Sequence, residues 1–380
     1  MSATRLSTTA RRAKAAILAR TAIAMAIIAA ATLVMAEGPA NASPSTSYAP
    51  VVPGRPFVFP ADYGSHPDFG TEWWYVTGWL TTAQGETLGF QITFFRTKPA
   101  VDTANRSAFT PRQLLIAHCA LSDPRVGHLL HDQIIRRAGL GLAAAATDDT
   151  NVEIDRWSLR REGDAYAAEI PAEDFALHLK LRATQPPLLN GEAGLSRKGV
   201  SPEAASYYYS LPHLAVGGSI LRGGRASSVR GEAWLDHEWS SAYLEDGAVG
   251  WDWIGINGSD GGALMAFRIR DAAGNARWGG GTWRRADGNV QVFGPDEIGF
   301  DAERTWRSPR TGAVYPVGMR VRMGTRTIEL APLMDDQEND TRLSTGAVYW
   351  EGAVEASEAA HPIGRGYLEL TGYLESLKLR

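Results

Sequence analysis

Between Trp234 and Trp239 the chain places Asp236, His237 and Glu238, and shortly downstream Asp252 lies between Trp251 and Trp253. Apolar rings around such groups raise carboxylate pKa values and lower that of histidine. Both then move toward the range where general acid–base catalysis near neutrality is efficient. Side chains alternate along a strand. Trp234, Asp236 and Glu238 are therefore expected on one face, with Leu235, His237 and Trp239 on the other. Asp236 then cannot orient His237, and the expected partner is Glu72 or Asp252, brought in by the fold. A core histidine bonded to backbone, in a packed seam between two β-units, is the competing reading, and the residues alone leave both open.

Trp73, Trp74 and the run Tyr207-Tyr208-Tyr209 add aromatic area. Buried tyrosine offers apolar surface together with a hydroxyl. Trp74, Trp239 and Trp253 are candidate walls able to stabilise cationic character, and Tyr207, Tyr209 and His118 are candidate pocket residues. The expected ligand is large and apolar or planar; glycans also favour aromatic sites. His118 beside Cys119 raises a Cys–His nucleophile, against which stands a buried, inert thiol.

Other chemistry is excluded or weak. There is no Gly-x-Ser-x-Gly elbow, and His237-Glu238 lacks the second histidine of a zincin helix. His128 and His131 would share a side only on a helix. Asp335 to Asp340 lacks the glycine of a calcium loop and reads as a solvated acidic turn. No metal or organic cofactor is expected.

The elements that must position these groups are strands. Phe175, Leu177, Leu179 and Leu181 alternate with Ala176, His178, Lys180 and Arg182, the period of a half-buried strand. Arg161–Asp164, Ala272–Asn275 and Ala286–Asn289 supply turn chemistry. Only Thr110–Leu121 and Ala143–Asp148 tempt a helical assignment. The class is all-β, with strands suited to barrels or sandwiches. A weak repeat runs through it. Glu72-Trp73 opens a strand followed by a turn and Phe90–Arg96; Asp252-Trp253 opens another followed by a turn and Ala263–Arg268. The repeat predicts two similar β-domains with a boundary near residue 240.

Arg5, Arg11, Arg12, Lys14 and Arg20 precede an uncharged apolar run, and Ala40-Asn41-Ala42 closes it with a small-x-small pattern. Residues 1–42 read as a signal peptide, 43–55 as a linker, 56–240 and 241–380 as the two domains. The protein is thus expected to be exported, periplasmic or secreted, with no transmembrane segment in the mature chain. Arg11-Arg12 leaves twin-arginine export beside the general route. Cleavage removes five basic residues and Glu37, moving the formal net charge from −4 to −8. Such a surface excludes nucleic acid as a partner. With Cys119 as the single cysteine, no intrachain disulfide forms.

His66–Gly78, Phe90–Arg96, Ala117-His118, Asp236–Ser241 and Trp251–Gly255 resemble the AttH and carotenoid 1,2-hydratase-like family. So do Ser308–Gly312, Asp336–Glu338 and Tyr349–Gly352. The resemblance, from about residue 55 to 380, implies two consecutive lipocalin-like β-barrels and the "predicted secreted hydrolase" branch. It also implies a functional link to an envelope ABC transporter. The hydratase branch adds water to a carotenoid double bond. Its His-x-Trp matches His237-Glu238-Trp239, while its downstream Tyr-x-Asp falls at Ala266-Phe267-Arg268, where neither acid stands. Glu72, Asp236 or Asp252 would have to substitute. The expectation is water addition to, or hydrolysis of, a hydrophobic isoprenoid- or lipid-like substrate, with His237 and one acid moving protons. A non-catalytic carrier of a hydrophobic small molecule is the alternative.

Overall fold

The structure, a computed structural model, describes residues 48–100, 106–107 and 109–377. The leader lies outside these residues. Apart from two 3-10 turns, Ala61–Tyr63 and Pro295–Glu297, the regular elements among the described residues are strands. The all-β expectation holds.

The first sheet is antiparallel and runs from Leu130–Arg137 through Leu114–Ser122, Thr87–Thr97, Thr71–Thr82, Arg225–Ala242 and Ala205–Arg222. It continues through Phe175–Ala183, Ala165–Pro171, Trp157–Glu162 and Asn151–Ile154 to Ala143–Ala145. Its ends approach each other, so it rolls into a nearly closed barrel. The second sheet is built likewise from strands between Gly250–Gly258 and His361–Leu370. In both sheets the first strand pairs with the last: Thr71–Thr82 with Arg225–Ala242, and Gly250–Gly258 with His361–Leu370. The repeat in the sequence is a pair of equivalent hairpins, Thr71–Thr82 with Thr87–Thr97 and Gly250–Gly258 with Ala263–Arg270.

Both segments that tempted a helical assignment contain strand instead. Leu115, Ala117, Cys119 and Leu121 alternate into the first barrel's core, a period-2 pattern that outweighs helix propensity. Ala143–Ala145 pairs with Asn151–Ile154.

Three apolar clusters organise the molecule. One fills the first barrel with Trp74, Phe90, Phe94, Leu179, Tyr209 and Trp239; another fills the second with Ile254, Met319, Val321 and Trp350. The third lies between the sheets and holds Tyr75, Trp79, Tyr208, Trp234, Trp253 and Tyr367. Residues 48–55, the described part of the expected linker, dock on the first barrel: Val51 is buried, and Val52 exchanges two 2.9 Å hydrogen bonds with the Tyr207 hydroxyl.

Candidate active site in the first barrel

Register places the site. Thr71–Thr82 pairs with Arg225–Ala242 so that Trp74 lies opposite His237 and Glu72 opposite Trp239. On the next strand Arg96 lies opposite Glu72. Alternation behaves as the sequence requires: Leu235, His237 and Trp239 enter the barrel, while Trp234 joins the seam cluster and Asp236 bonds Tyr208 and Trp234 there.

Glu72 is fully buried and is the hub. Its Oε1 accepts from His237 Nε2 at 2.9 Å and from His66 Nδ1 at 2.7 Å. Its Oε2 accepts from Arg96 Nε at 2.7 Å and from the His66 backbone N–H at 2.8 Å. Burial works against this charge, but the two imidazoles and Arg96 hold the carboxyl well below the usual range. Glu72 is therefore an acceptor, not a proton donor.

The two histidines differ in state. His66 turns its second nitrogen to Asp62 Oδ1 at 3.1 Å, so both ring nitrogens face carboxylate oxygens. A neutral imidazole has one N–H and can serve only one of them. Burial lowers the His66 pKa, but the bonds to Asp62 and Glu72 outweigh it and leave it raised. His66 is the imidazolium. Burial pulls His237 down, against the bond from Glu72, and it stays neutral. Its Nε2 hydrogen goes to Glu72, so Nδ1 is an acceptor, and the Tyr209 hydroxyl donates to it at 3.0 Å. Burial raises the Tyr209 pKa far above that of free phenol. A continuous relay results: Tyr209, His237, Glu72, His66, Asp62, and then Arg55, whose Nη2 lies 2.6 Å from Asp62.

Aromatic planes fix the rings. Trp239 stacks on His66 with centroids 3.7 Å apart and planes 7° apart, and Trp74 stacks on His237 at 4.6 Å. Above them Phe57, Phe59 and Tyr63 close the barrel, packing edge-on against Tyr207, Tyr209 and Trp239. Gly64 seats this strap, because a Cβ there would meet the Thr147 backbone at 2.5 Å. Trp239 Nε1, in the barrel core, is buried with no hydrogen-bond partner among the described residues.

Of the residues singled out in the sequence, Glu72, His237, Trp74, Trp239, Tyr207 and Tyr209 meet in this barrel. Four others lie elsewhere. Asp236 faces the seam, accepting from Tyr208, Ser210 and Trp234 at 2.5–2.6 Å. Burial raises it to about 7. Trp253 is in the same seam and donates to the Tyr208 hydroxyl. Asp252 enters the other barrel, where Arg268, Arg270 and Tyr373 bind it. His118 points away from the barrel core and bonds Tyr349 and Ser344. None of these four side chains hydrogen-bonds the His237 ring, because strand alternation or membership of the second barrel turns them away.

Sequence reading missed His66, Asp62 and Arg96 as site residues. His66 and Asp62 precede the first strand, one in a loop and the other in the 3-10 turn Ala61–Tyr63, with no periodicity to reveal orientation. Arg96 had a signal: it stands opposite Glu72 once the hairpin is drawn. His66 Nδ1, Glu72 Oε1 and His237 Nε2 lie within 4.8 Å of one another, a spacing a metal ion could bridge. Both imidazoles already direct N–H groups at Glu72, and Arg96 on the same carboxylate would repel a cation. The residues fit a proton relay better than a metal centre.

Two β-barrels in one chain, one of them enclosing an imidazole–carboxylate relay, define a tandem lipocalin-like protein. The chain belongs to the AttH-like family, whose model matches residues 50–373. It is similar to a Nitrosomonas europaea protein assigned as AttH, whose 2.00 Å crystal structure is 54% identical with a TM-score of 0.81. That likeness covers 86% of this chain and 99% of the other. Kievitone hydratase from Nectria haematococca shares the fold at 15% identity and a TM-score of 0.65, over 87% of this chain and 97% of that one. No curated protein matched the chain.

Proposed function

We propose that the first barrel adds water to, or removes it from, a hydrophobic substrate. The observation that carries this reading is the hydrogen bond from Tyr209 to His237 Nδ1, continued to Glu72, inside an aromatic-walled barrel. Tyr209 exchanges the proton with substrate carbon, His237 is its base, and Glu72 fixes the imidazole tautomer, as the carboxylate of a Ser-His-Asp triad does. His66 and Arg96 hold Glu72 in place. A phenol is too weak an acid to protonate an isolated alkene. The reaction that suits it is addition to a double bond conjugated with a carbonyl: the oxygen of water joins the β-carbon, the Tyr209 proton joins the α-carbon, and the proton that water gives up returns to the Tyr209 oxygen, which His237 and the relay behind it hold in position. Tyr209 occupies the acceptor nitrogen of His237, so direct activation of water for hydrolysis is disfavoured. The buried Trp239 N–H, with no hydrogen-bond partner among the described residues, supports a polar ligand group beside the relay.

The leader supports export to the periplasm or medium, and the envelope ABC transporter link belongs to the same proposal. The two domains are proposed to divide near residue 240. Catalysis is tested by incubating the purified mature protein with fractionated apolar metabolites in oxygen-18 water and following products by mass spectrometry. Label incorporation by wild type, lost in Tyr209→Phe and His237→Ala, supports the reading. A ligand that binds and is never transformed overturns it in favour of a carrier.

A further inference from the structure

A pocket adjoins the relay through Arg55. About 430 Å³ in volume, it opens at the barrel mouth, lined by Arg55, Phe57, Phe59, Leu189, Leu195 and Tyr207, with Glu192 at its exposed rim. Its side-chain walls are mostly apolar, with Arg55 and Glu192 as the charged groups among the lining residues. The Arg55 guanidinium is about one-third exposed, stacks over Tyr207 at 4.9 Å and lies 5.6 Å from the Trp239 ring. It also holds Asp62, its neighbour in the relay. Trp239 carries the unpartnered indole N–H.

We infer that this pocket receives the substrate and selects an amphipathic anion: a flat apolar body bearing one acidic oxygen group, carboxylate or phenolate, that pairs with Arg55. The inference rests on the proposed reading that the first barrel takes an apolar ligand, and it names that ligand's polar end. The physical reasons are three. Phe57, Phe59 and Tyr207 offer ring faces and edges for a planar body. Arg55 lies among aromatic rings, in partly desolvated surroundings where an added anion gains more than it would in water. A planar guanidinium meets a carboxylate with two parallel hydrogen bonds, so an incoming anion competes directly with Asp62. That competition loosens the end of the strap bearing Phe57 and Phe59, the rings that cover Tyr209. Binding at the mouth and access to the relay are thereby coupled through one residue.

The test uses the mature protein and two fluorescent probes of similar ring system, 1-anilinonaphthalene-8-sulfonate, which is anionic, and N-phenyl-1-naphthylamine, which is neutral. Wild type is expected to bind the anionic probe about tenfold more tightly, the discrimination of one charge-assisted pair. Arg55→Gln should abolish that preference while leaving the neutral probe's affinity unchanged, and Arg55→Lys should keep part of it. Glu192→Gln, at the exposed rim, should strengthen anion binding by about twofold, which ties the signal to this pocket even if Arg55→Gln proves unstable. Equal affinity for the two probes, or a preference untouched by Arg55→Gln and Glu192→Gln, overturns the inference. Because the readout is binding, it can fail while turnover succeeds, and the reverse, so the two proposals fall separately.

Discussion

Glu72 and Asp252 occupy the same place in two sheets: Glu72 stands opposite Arg96 and Asp252 opposite Arg268 on the neighbouring strand of its hairpin. From that shared acid–arginine pair the barrels diverge. Glu72 gains two imidazoles, whereas Asp252 gains a second arginine and the Tyr373 hydroxyl. One copy holds a group that can pass a proton; the other is closed by groups that keep theirs. The two acids therefore answer differently to the same substitution.

Glu72→Gln leaves Arg96 buried without its countercharge. Removing one partner of a buried pair costs about 3–5 kcal/mol, and urea denaturation should show a loss of that size. Activity should fall with it, since an amide has one acceptor oxygen in place of two and lacks the charge that holds both imidazoles.

Asp252→Asn should also destabilise, because Arg268 and Arg270 both rest on that carboxylate. Turnover by the folded fraction should be unchanged. A matching loss of kcat would place Asp252 in the chemistry and contradict the geometry.

Tyr209→Phe removes only the hydroxyl. Loss of one hydrogen bond costs about 1 kcal/mol, so the melting curve should scarcely move, while kcat should fall by about 10²–10⁴ with KM little altered. Steady-state kinetics on the substrate identified by oxygen labelling decides it.

Stability against pH should peak on the acid side of neutrality. Across the seam Glu351 and Glu369 face each other on adjacent strands, near Asp236 and Glu238, with Lys198 2.8 Å from Glu238. Burial raises Asp236 and Glu369 to about 7. Acids raised on folding stabilise fully below their unfolded pKa, about 4, and that contribution is lost as pH rises through about 7. The raised His66 contributes in the same direction. In the relay Asp62 is lowered to about 2 and Glu72 is depressed, and their contribution is lost as pH falls from about 4. Asp236→Asn should flatten the neutral limb and Glu72→Gln the acid limb in chemical denaturation across pH 3–8. An unchanged neutral limb in Asp236→Asn would show that Asp236 ionises freely in the fold.

The sequence made the strand alternation of Trp234 to Trp239 legible, and with it the separation of His237 from Asp236. It also offered Glu72 as the partner, and the structure places that carboxylate 2.9 Å away. The repeat already held the reason Asp252 could not join it: residues equivalent by repeat belong to different barrels. His66 was hidden because a loop has no period, and its stacking on Trp239 depends on where the chain folds back. Trp253 and His118 were drawn to the pocket by residue type alone, yet a molecule with an inter-sheet seam uses aromatic side chains there as well. Thr110–Leu121 misled through its Leu, Ile and Ala content, although its every-second-residue pattern was that of a strand.

The site depends on two protonation states: His66 protonated on both nitrogens, and His237 neutral with its hydrogen on Nε2. Nitrogen-15 NMR of histidine-labelled protein near neutral pH measures both directly. Two protonated nitrogens are expected in the His66 ring, and in the His237 ring a bare Nδ1 whose resonance shifts in Tyr209→Phe. A charged His237, or a neutral His66, would contradict it.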